Sequence, residues 1–467
     1  MIRVAVLSGL GHAIFVAVGL LVYVMGTRIG HQRRHPSAAM GWVLGIVTFP
    51  YLVVPLFLLF GTRKFARPAR RPHDPPLEAT EGGPPWATRL LASLELAPAV
   101  RNARVVLHAD GTQALQGLLA TIASARHRLD LCTYVFAYDE VGREVARALL
   151  DCVHRGVRVR LLVDALGSMR TPPGMLRALR RQGLQVRRFM PLLHNPLHGR
   201  TNLRNHRKLV VADGERLWSG GRNLACEYFI DRPGHPAWAD LSYEVHGPLA
   251  AQAQAQFATD WRVARGLVLR RRRKARSTAA PALPAPTAHG PLAQWLPSGP
   301  DHADDTVHAL LLAAAYHAQR RIVAVTPYFV PDDALLDAWC LACRRGVQVS
   351  VVVPARSNHR LADLARERAL RQLAAAGARV WLSPAMVHAK AVLIDDELAL
   401  VGSLNLDARS LFLNYEAMTV FYGPQELHWL AQWSDQLLAR ARPYHARAPS
   451  WLRDVIEGVV RSVGFQL

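Results

Sequence analysis

The sequence predicts an α/β protein: two α/β/α sandwich halves related by a pseudo-two-fold axis, preceded by two membrane-spanning helices. Three observations lead there. Two uncharged apolar runs open the chain, at residues 4–25 and 40–60. The remainder alternates strand-like and helix-like segments. One motif then occurs twice, in register with a repeat of that alternation.

Each apolar run is long enough to cross roughly 30 Å of hydrocarbon as a helix. Pro50 and Pro55 fall in the second, where a membrane helix tolerates them better than a soluble one. A cleaved signal peptide fits the first run poorly. Only Arg3 precedes it, no small-x-small site follows, and a second run comes at once. The intervening loop carries Arg28, Arg33 and Arg34, and the flank after residue 60 carries Arg63, Lys64, Arg67, Arg70 and Arg71. The larger cluster favours a cytoplasmic C-terminal portion, and two crossings would place both termini on one side.

Composition narrows the function classes. The chain has 467 residues, 51% of them hydrophobic and 20% charged, which excludes a disordered or collagen-like protein and allows a large core. Lys plus Arg number 57 against 35 Asp plus Glu, a net charge of +22, so the partner is anionic: nucleic acid or an acidic membrane surface. The apolar runs shift that balance toward lipid. Five cysteines imply no disulfide framework. Only four of the basic residues are lysine, namely Lys64, Lys208, Lys274 and Lys390. A genome bias toward Arg explains the scarcity and makes each retained lysine informative, since an ammonium is a compact point charge and a guanidinium a planar fork.

The organisation follows. Residues 1–62 hold the two spans, and 63–98, rich in Pro and Gly, read as a linker. A first half covers 99–268, a basic Pro/Ala connector 269–291, and a second half 292–445. In the first half a strand at 128–136, a helix at 143–156 and a strand at 157–164 make a βαβ rhythm, and 320–329, 335–346 and 347–354 repeat it. Residues 446–467 place Trp451, Leu452, Val455, Ile456, Val459, Val460 and Val463 at helical spacing. They read as an amphipathic helix packed on the second half or, alternatively, lying on a membrane surface.

The repeated motif is H-x-K-x4-D-x6-G-x-x-N. Its first copy is His206, Lys208, Asp213, Gly220 and Asn223, and its second His388, Lys390, Asp395, Gly402 and Asn405. Two of the four lysines are in it. His and Lys at i and i+2 entering a strand share one face, so each half presents an imidazole beside an ammonium. Asn223 and Asn405, after a Gly-containing turn, can return to the same place. Two facing halves would join these groups in one pocket suited to phosphate oxygens and to proton exchange near neutral pH. One imidazole can attack phosphorus while the other protonates a leaving alkoxide, with the lysines and asparagines stabilising the transition-state charge. No metal or cofactor is needed for this. Asp213 and Asp395 complete the catalytic motif, but they lie where the strand turns and read as structural. Aligning Gly247-Pro248 with Gly423-Pro424 sets Asp240 opposite Glu416, and each is expected to orient a catalytic His, the alternative being a surface or sheet-end carboxylate.

The motif resembles that of the phospholipase D superfamily, over roughly residues 105–440. The segments RNHRKLVVADG, GGRN, VHAKAVLIDD and GSLNLDARSLFLNYE, with the paired apolar runs, are similar to the bacterial cardiolipin synthases of the two-span type. The resemblance implies two phospholipase-D-like halves in a multi-pass protein of the bacterial inner membrane. It implies transfer between two phosphatidylglycerols to give cardiolipin and glycerol through a phosphatidyl-histidine, with His206 as nucleophile and His388 as acid, then base. Gly221 stands where the second copy has Ser403, so the halves are unequal. Three other readings remain at this point. A phospholipase D would pass the same intermediate to water. A superfamily nuclease would suit the basic charge but not the spans, so no nucleic acid is expected. A membrane scaffold would have no need of two complete motifs.

Weaker signals take ordinary readings. Cys340 and Cys343 belong to a helix core, Tyr134 and Tyr328 are core or rim aromatics, and His194 and His198, split by Pro196, lie on a loop leading to the first motif.

Overall fold

The computed structural model describes residues 2–29, 36–61, 82–191, 202–264 and 289–462. His194, His198, Lys64, Lys274 and nearly all of the basic connector lie outside them.

The first half is a seven-stranded sheet of β1 (Arg104–His108), β2 (Arg128–Thr133), β3 (Arg158–Asp164), β4 (Gln185–Phe189), β5 (Leu209–Ala212), β6 (Arg216–Gly220) and β7 (Ser242–His246). The second half repeats it as β8 (Leu292–Ser298), β9 (Arg321–Val325), β10 (Gln348–Pro354), β11 (Arg379–Ser383), β12 (Ala391–Ile394), β13 (Leu398–Gly402) and β14 (Glu416–Phe421). The first sheet runs β1-β7-β6-β5-β2-β3-β4 and the second β8-β14-β13-β12-β9-β10-β11, the same permutation. In each, the βαβ units of the sequence form three parallel strands, and the motif strand joins them antiparallel. Two-residue strands extend the second sheet at both edges, Val100–Arg101 beside β8 and Arg442–Pro443 beside β11.

Helices cover both faces of both sheets. In the first half, Gly111–Ala123 and Glu140–His154 pack outside, burying Leu118, Ile122, Val145 and Leu149. Asp110 and Asp139 cap these helices by accepting from Gln113 N and Gly142 N. The second half has its own outer core, around Leu310, Leu336, Trp339 and Leu370. Between the sheets lie helices Pro248–Val263 and Pro424–Arg440, whose Leu249, Phe257, Leu427 and Leu430 share one core with residues of both sheets. Tyr243 of β7 and Thr419 of β14 hydrogen bond at 2.6 Å across that interface. The halves are therefore fused through a common apolar layer. Burying one such Leu or Phe side chain is worth roughly 1.5–3 kcal/mol.

Two segments depart from the sequence reading. The stretch read as a linker carries a helix, Pro85–Ser93, whose Ala87 and Leu91 enter the second half's core and whose Trp86 stacks on His317 and donates to Glu397. Cys340 is buried and Cys343 half-buried in helix Asp333–Arg344, as a core reading requires. The larger departure is at the N-terminus. Helix Ile2–Ile29 contains an apolar stretch, Gly9–Thr27, long enough to cross a membrane. Residues 40–60 do not form a second spanning helix. They fold as Pro36–Thr48 and Pro50–Phe60, with the break at Phe49. Pro50 has no N–H to continue the ladder and pushes Phe49 out of helical geometry. The chain doubles back there, so that Trp42 and Phe57 have ring centroids 5.3 Å apart. Residues that far apart in one straight helix would be separated by roughly 22 Å. Apolar content and length were right for a span, and the turn at Phe49-Pro50 overrode them.

Candidate active site

Each motif enters its strand beside the other half. Asn205 bridges to Tyr415, and His206 N donates to Tyr415 O at 2.9 Å. Symmetrically, Val387 bridges to Ala239, and His388 N donates to Ala239 O at 2.8 Å. The residue after each bridge partner is the carboxylate singled out from the sequence. The pairing is therefore crossed. His206 Nδ1 lies 3.0 Å from Glu416, and His388 Nδ1 lies 2.6 Å from Asp240. Each imidazole of one half is held by the carboxylate of the other, and the bond at Nδ1 leaves Nε2 as the ring's chemical edge.

The two lysines point back along their strands. Lys208 Nζ donates to His206 O at 2.6 Å, and Lys390 Nζ donates to His388 O. Lys390 also lies against the His388 ring, 2.8 Å from Nδ1 and 3.0 Å from Nε2. His206 Nε2 makes no hydrogen bond with any described residue. Both lysines and His388 are buried. Asn223 spends one amide hydrogen on Tyr228 Oη at 2.9 Å and accepts from Val135 N, and Asn405 donates to Ser410 Oγ at 3.4 Å. Each amide keeps a second hydrogen for a ligand.

Burial pushes the His388 imidazole down to about 3; Lys390 adds to the effect, and Asp240 opposes it without prevailing. Burial also lowers His206, against the pull of Glu416. For Asp240, burial works upward, but His388, Lys390 and Arg222 outweigh it and hold the carboxyl at about 2. Glu416 is likewise held below its ordinary value, burial being outweighed by His206 and Lys208. Burial brings Lys208 down to about 7 and Lys390 to about 8. The resting site thus holds neutral imidazoles on ionised carboxylates, with lysines that titrate near neutrality.

A phosphate bound there would raise both lysines, because an anion beside an ammonium favours its charged form. Below pH about 7 they are already charged in the empty site, so binding takes up no proton on their account. Above their resting values of about 7 and about 8, binding must protonate them, and affinity falls by up to about tenfold per pH unit per lysine. Calorimetric titration with inorganic phosphate in buffers of different ionisation enthalpy should show weakening affinity and proton uptake on the alkaline side. Affinity that stays flat from pH 7 to pH 9 would contradict the assignment.

Asp213 and Asp395 lie away from the reacting groups. Both have positive φ, +53° and +47°, at the hairpins β5–β6 and β12–β13. Asp213 accepts from the backbone N–H groups of Arg126, His127 and Arg128, and Asp395 from those of Gln319, Arg320 and Arg321, all within 2.7–2.9 Å. Each carboxylate ties the end of the motif strand to the start of its antiparallel neighbour, β2 or β9. Asp213→Ala should destabilise the fold by about 3 kcal/mol, through backbone donors left unpaired, which chemical denaturation checks. A surface groove of about 610 Å³ lined by Arg126, Arg155, Asp213 and Arg216 is at that far end of the strand, remote from His206.

Sequence reasoning missed several residues. Tyr228 and Trp238 face His388 at 5.0 and 5.5 Å, as Tyr134 faces His206 at 4.9 Å. Tyr134 is thus part of the pocket wall. Arg207 alternates to the opposite face from His206 and Lys208 and is fully buried. It bonds Asp260, Asp301, Ser298 O and Glu416 O, joining the halves beneath the site. An Arg between a motif His and Lys, with Ala389 at the matching place, was the available signal. The halves differ at Gly221 too. A Cβ there would lie 2.1 Å from Asp240 Oδ1, whereas Ser403 donates to Glu416.

Two regions, residues 118–261 and 311–438, match the family model described as the phospholipase-D-like domain of cardiolipin synthase. The chain belongs to the cardiolipin synthase family of the phospholipase D superfamily. Among its relatives, cardiolipin synthase A of Pseudomonas entomophila strain L48 is 32% identical over 406 residues, 82% of each chain. That of Klebsiella pneumoniae strain 342 is 30% identical over 464 residues, covering 93% of this chain and 94% of the relative. The solved phosphatidylserine synthase of Haemophilus influenzae Rd KW20 superposes with a TM-score of 0.62 at 15% identity, over 82% of this chain and the whole of that one, and shares the fold. The chain is thus an enzyme of the phospholipase D superfamily, with one match to the family domain in each half.

Proposed function

We propose that the enzyme is a membrane phosphatidyltransferase that converts two phosphatidylglycerols into cardiolipin and glycerol. The crossed pairs His206–Glu416 and His388–Asp240, which bring two imidazoles and two lysines into one buried site, carry this reading. The names of relatives spanning nearly the whole chain support the substrate.

His206 is the nucleophile, because its Nε2 is uncovered by any described residue while Lys390 lies against that of His388. In the first step His388, neutral in the empty site, takes up a proton as the phosphodiester anion binds beside it; His206 Nε2 then attacks phosphorus, the bond to the glycerol oxygen breaks, and His388 gives that oxygen the proton. In the second, neutral His388 takes the proton from a hydroxyl of another phosphatidylglycerol. That oxygen attacks phosphorus, the P–N bond breaks, and cardiolipin leaves. Lys208, Lys390 and the second amide hydrogens of Asn223 and Asn405 stabilise the charge on the non-bridging oxygens. The test is purified protein with phosphatidylglycerol vesicles in EDTA. Cardiolipin and glycerol in equal amounts support the reading, and phosphatidic acid as the main product identifies a hydrolase instead.

The N-terminal fold supports one membrane crossing, by Gly9–Thr27, followed by the helical hairpin of residues 36–60 entering and leaving on one side. Arg28, Arg33 and Arg34 then share a side with Arg63, Lys64, Arg67, Arg70 and Arg71, removing the conflict that two crossings create. On this reading the catalytic halves lie on the cytoplasmic side of the bacterial inner membrane and the N-terminus on the other. Cysteines introduced at residue 2 and residue 32 should label from opposite sides of the membrane in intact cells. Labelling from one side rejects the single crossing.

A further inference from the structure

The C-terminal helix, Trp451–Ser462, is amphipathic as the sequence requires, but its orientation is inverted relative to a packed surface helix. Part of its polar side, Glu457, faces the protein, while Arg453 and Asp454 stay exposed on the flank. Glu457 is 2% exposed and pairs with Arg371 at 2.5 Å and with Arg453 at 2.8 Å, while Arg453 also reaches Glu367 at 3.6 Å. Arg371 and Glu367 belong to helix Arg360–Ala375 of the second half, so charge pairs anchor the element. Its apolar side faces out. Trp451 is 79% exposed, Leu452 59% and Val455 47%. A helix held by water would present the reverse, because exposing three large apolar side chains while burying a carboxylate is costly on both counts.

We propose that this helix is a membrane-docking element that lies in the interface of an anionic bilayer, apolar side down, and fixes the second half against the leaflet. The occupant follows from three observations. The chain is tethered to a membrane by the apolar stretch Gly9–Thr27, so a bilayer is always within reach. The approach to the helix is basic, with Arg442 and Arg447 exposed ahead of it and Arg453 half-exposed on its flank, which complements anionic headgroups. Trp451 opens the helix, and an indole suits the headgroup level with its apolar body and single N–H donor. Glu457 makes the seating one-sided: rotating the helix to bury its apolar face would carry Glu457 outward and break its pair with Arg371, which stays on helix Arg360–Ala375. This element holds whether the enzyme transfers to an alcohol or to water, since its evidence is independent of the catalytic residues.

The test uses the full-length protein in nanodiscs, without any activity readout. Leu452→Cys and Val455→Cys are labelled with an environment-sensitive fluorophore, with the parent protein's own labelling subtracted. Asp151→Cys, on an exposed helix of the first half, is the control. In discs containing phosphatidylglycerol, labels at 452 and 455 should shift to the blue and be quenched by lipids carrying a nitroxide near the headgroup, and the control should do neither. Raising the salt, or replacing phosphatidylglycerol with phosphatidylcholine, should weaken the quenching. Labels that stay water-exposed overturn the proposal. So does a blue shift without lipid quenching that grows with protein concentration, which would mean that a second copy covers the face.

Discussion

Replacing either His206 or His388 with alanine should lower cardiolipin formation by at least about a thousandfold, and the double variant should be no worse than either alone. The expectation rests on position. The two imidazoles come from different halves, each is fixed at Nδ1 by a buried carboxylate, and both belong to one charge cluster, since Lys208 feels Lys390, Asp240 and Glu416 together. One ring must attack phosphorus and the other must exchange the proton, so losing either stops both half-reactions. Product formation from phosphatidylglycerol, with folding followed by circular dichroism, reads the effect. A variant retaining a tenth or more of the activity would remove its histidine from the mechanism.

Neutralising the orienting carboxylates should cost nearly as much. Asp240→Asn and Glu416→Gln are each expected to lower turnover by about 10²–10⁴-fold, the range seen when an imidazole loses the group that sets its tautomer and orientation. The crossed geometry makes the expectation specific. Asp240→Asn should add nothing to His388→Ala, because Asp240 acts through His388, 2.6 Å away in the other half. Combined with His206→Ala it should add nothing to turnover either, but a probe of His206 alone, such as its NMR titration, should be unmoved by Asp240→Asn and shifted by Glu416→Gln. The opposite pattern would mean that each half orients its own histidine.

Much of this was legible in the sequence. The two motifs, their i and i+2 geometry, the duplicated βαβ rhythm and the equivalence of Asp240 and Glu416 all follow from local spacing. The turn positions of Asp213 and Asp395 are legible in the sequence, and in the structure each accepts from three backbone donors. What could not be read is what depends on the other half. Spacing within a repeat says which carboxylate matches which, but not that the bridges Asn205–Tyr415 and Val387–Ala239 exchange them. The walls formed by Tyr228 and Trp238, and the buried Arg207 network, are likewise contacts between distant segments. The hairpin of residues 36–60 failed for another reason. Hydropathy averages over a window, while one proline after Phe49 decides where the helix ends. The C-terminal helix was found by its periodicity, but periodicity identifies two faces without saying which one meets the protein. Buried Glu457 settles that.

The central claim is a covalent intermediate on a motif histidine. The most direct measurement mixes enzyme with phosphatidylglycerol, quenches within a turnover in base, where a phosphoramidate survives, and maps the peptides by mass. The account predicts a phosphatidyl group on the peptide containing His206, absent from His206→Ala and still formed or accumulated in His388→Ala with a donor whose leaving group needs no proton. Steady turnover with no adduct on either histidine would contradict it.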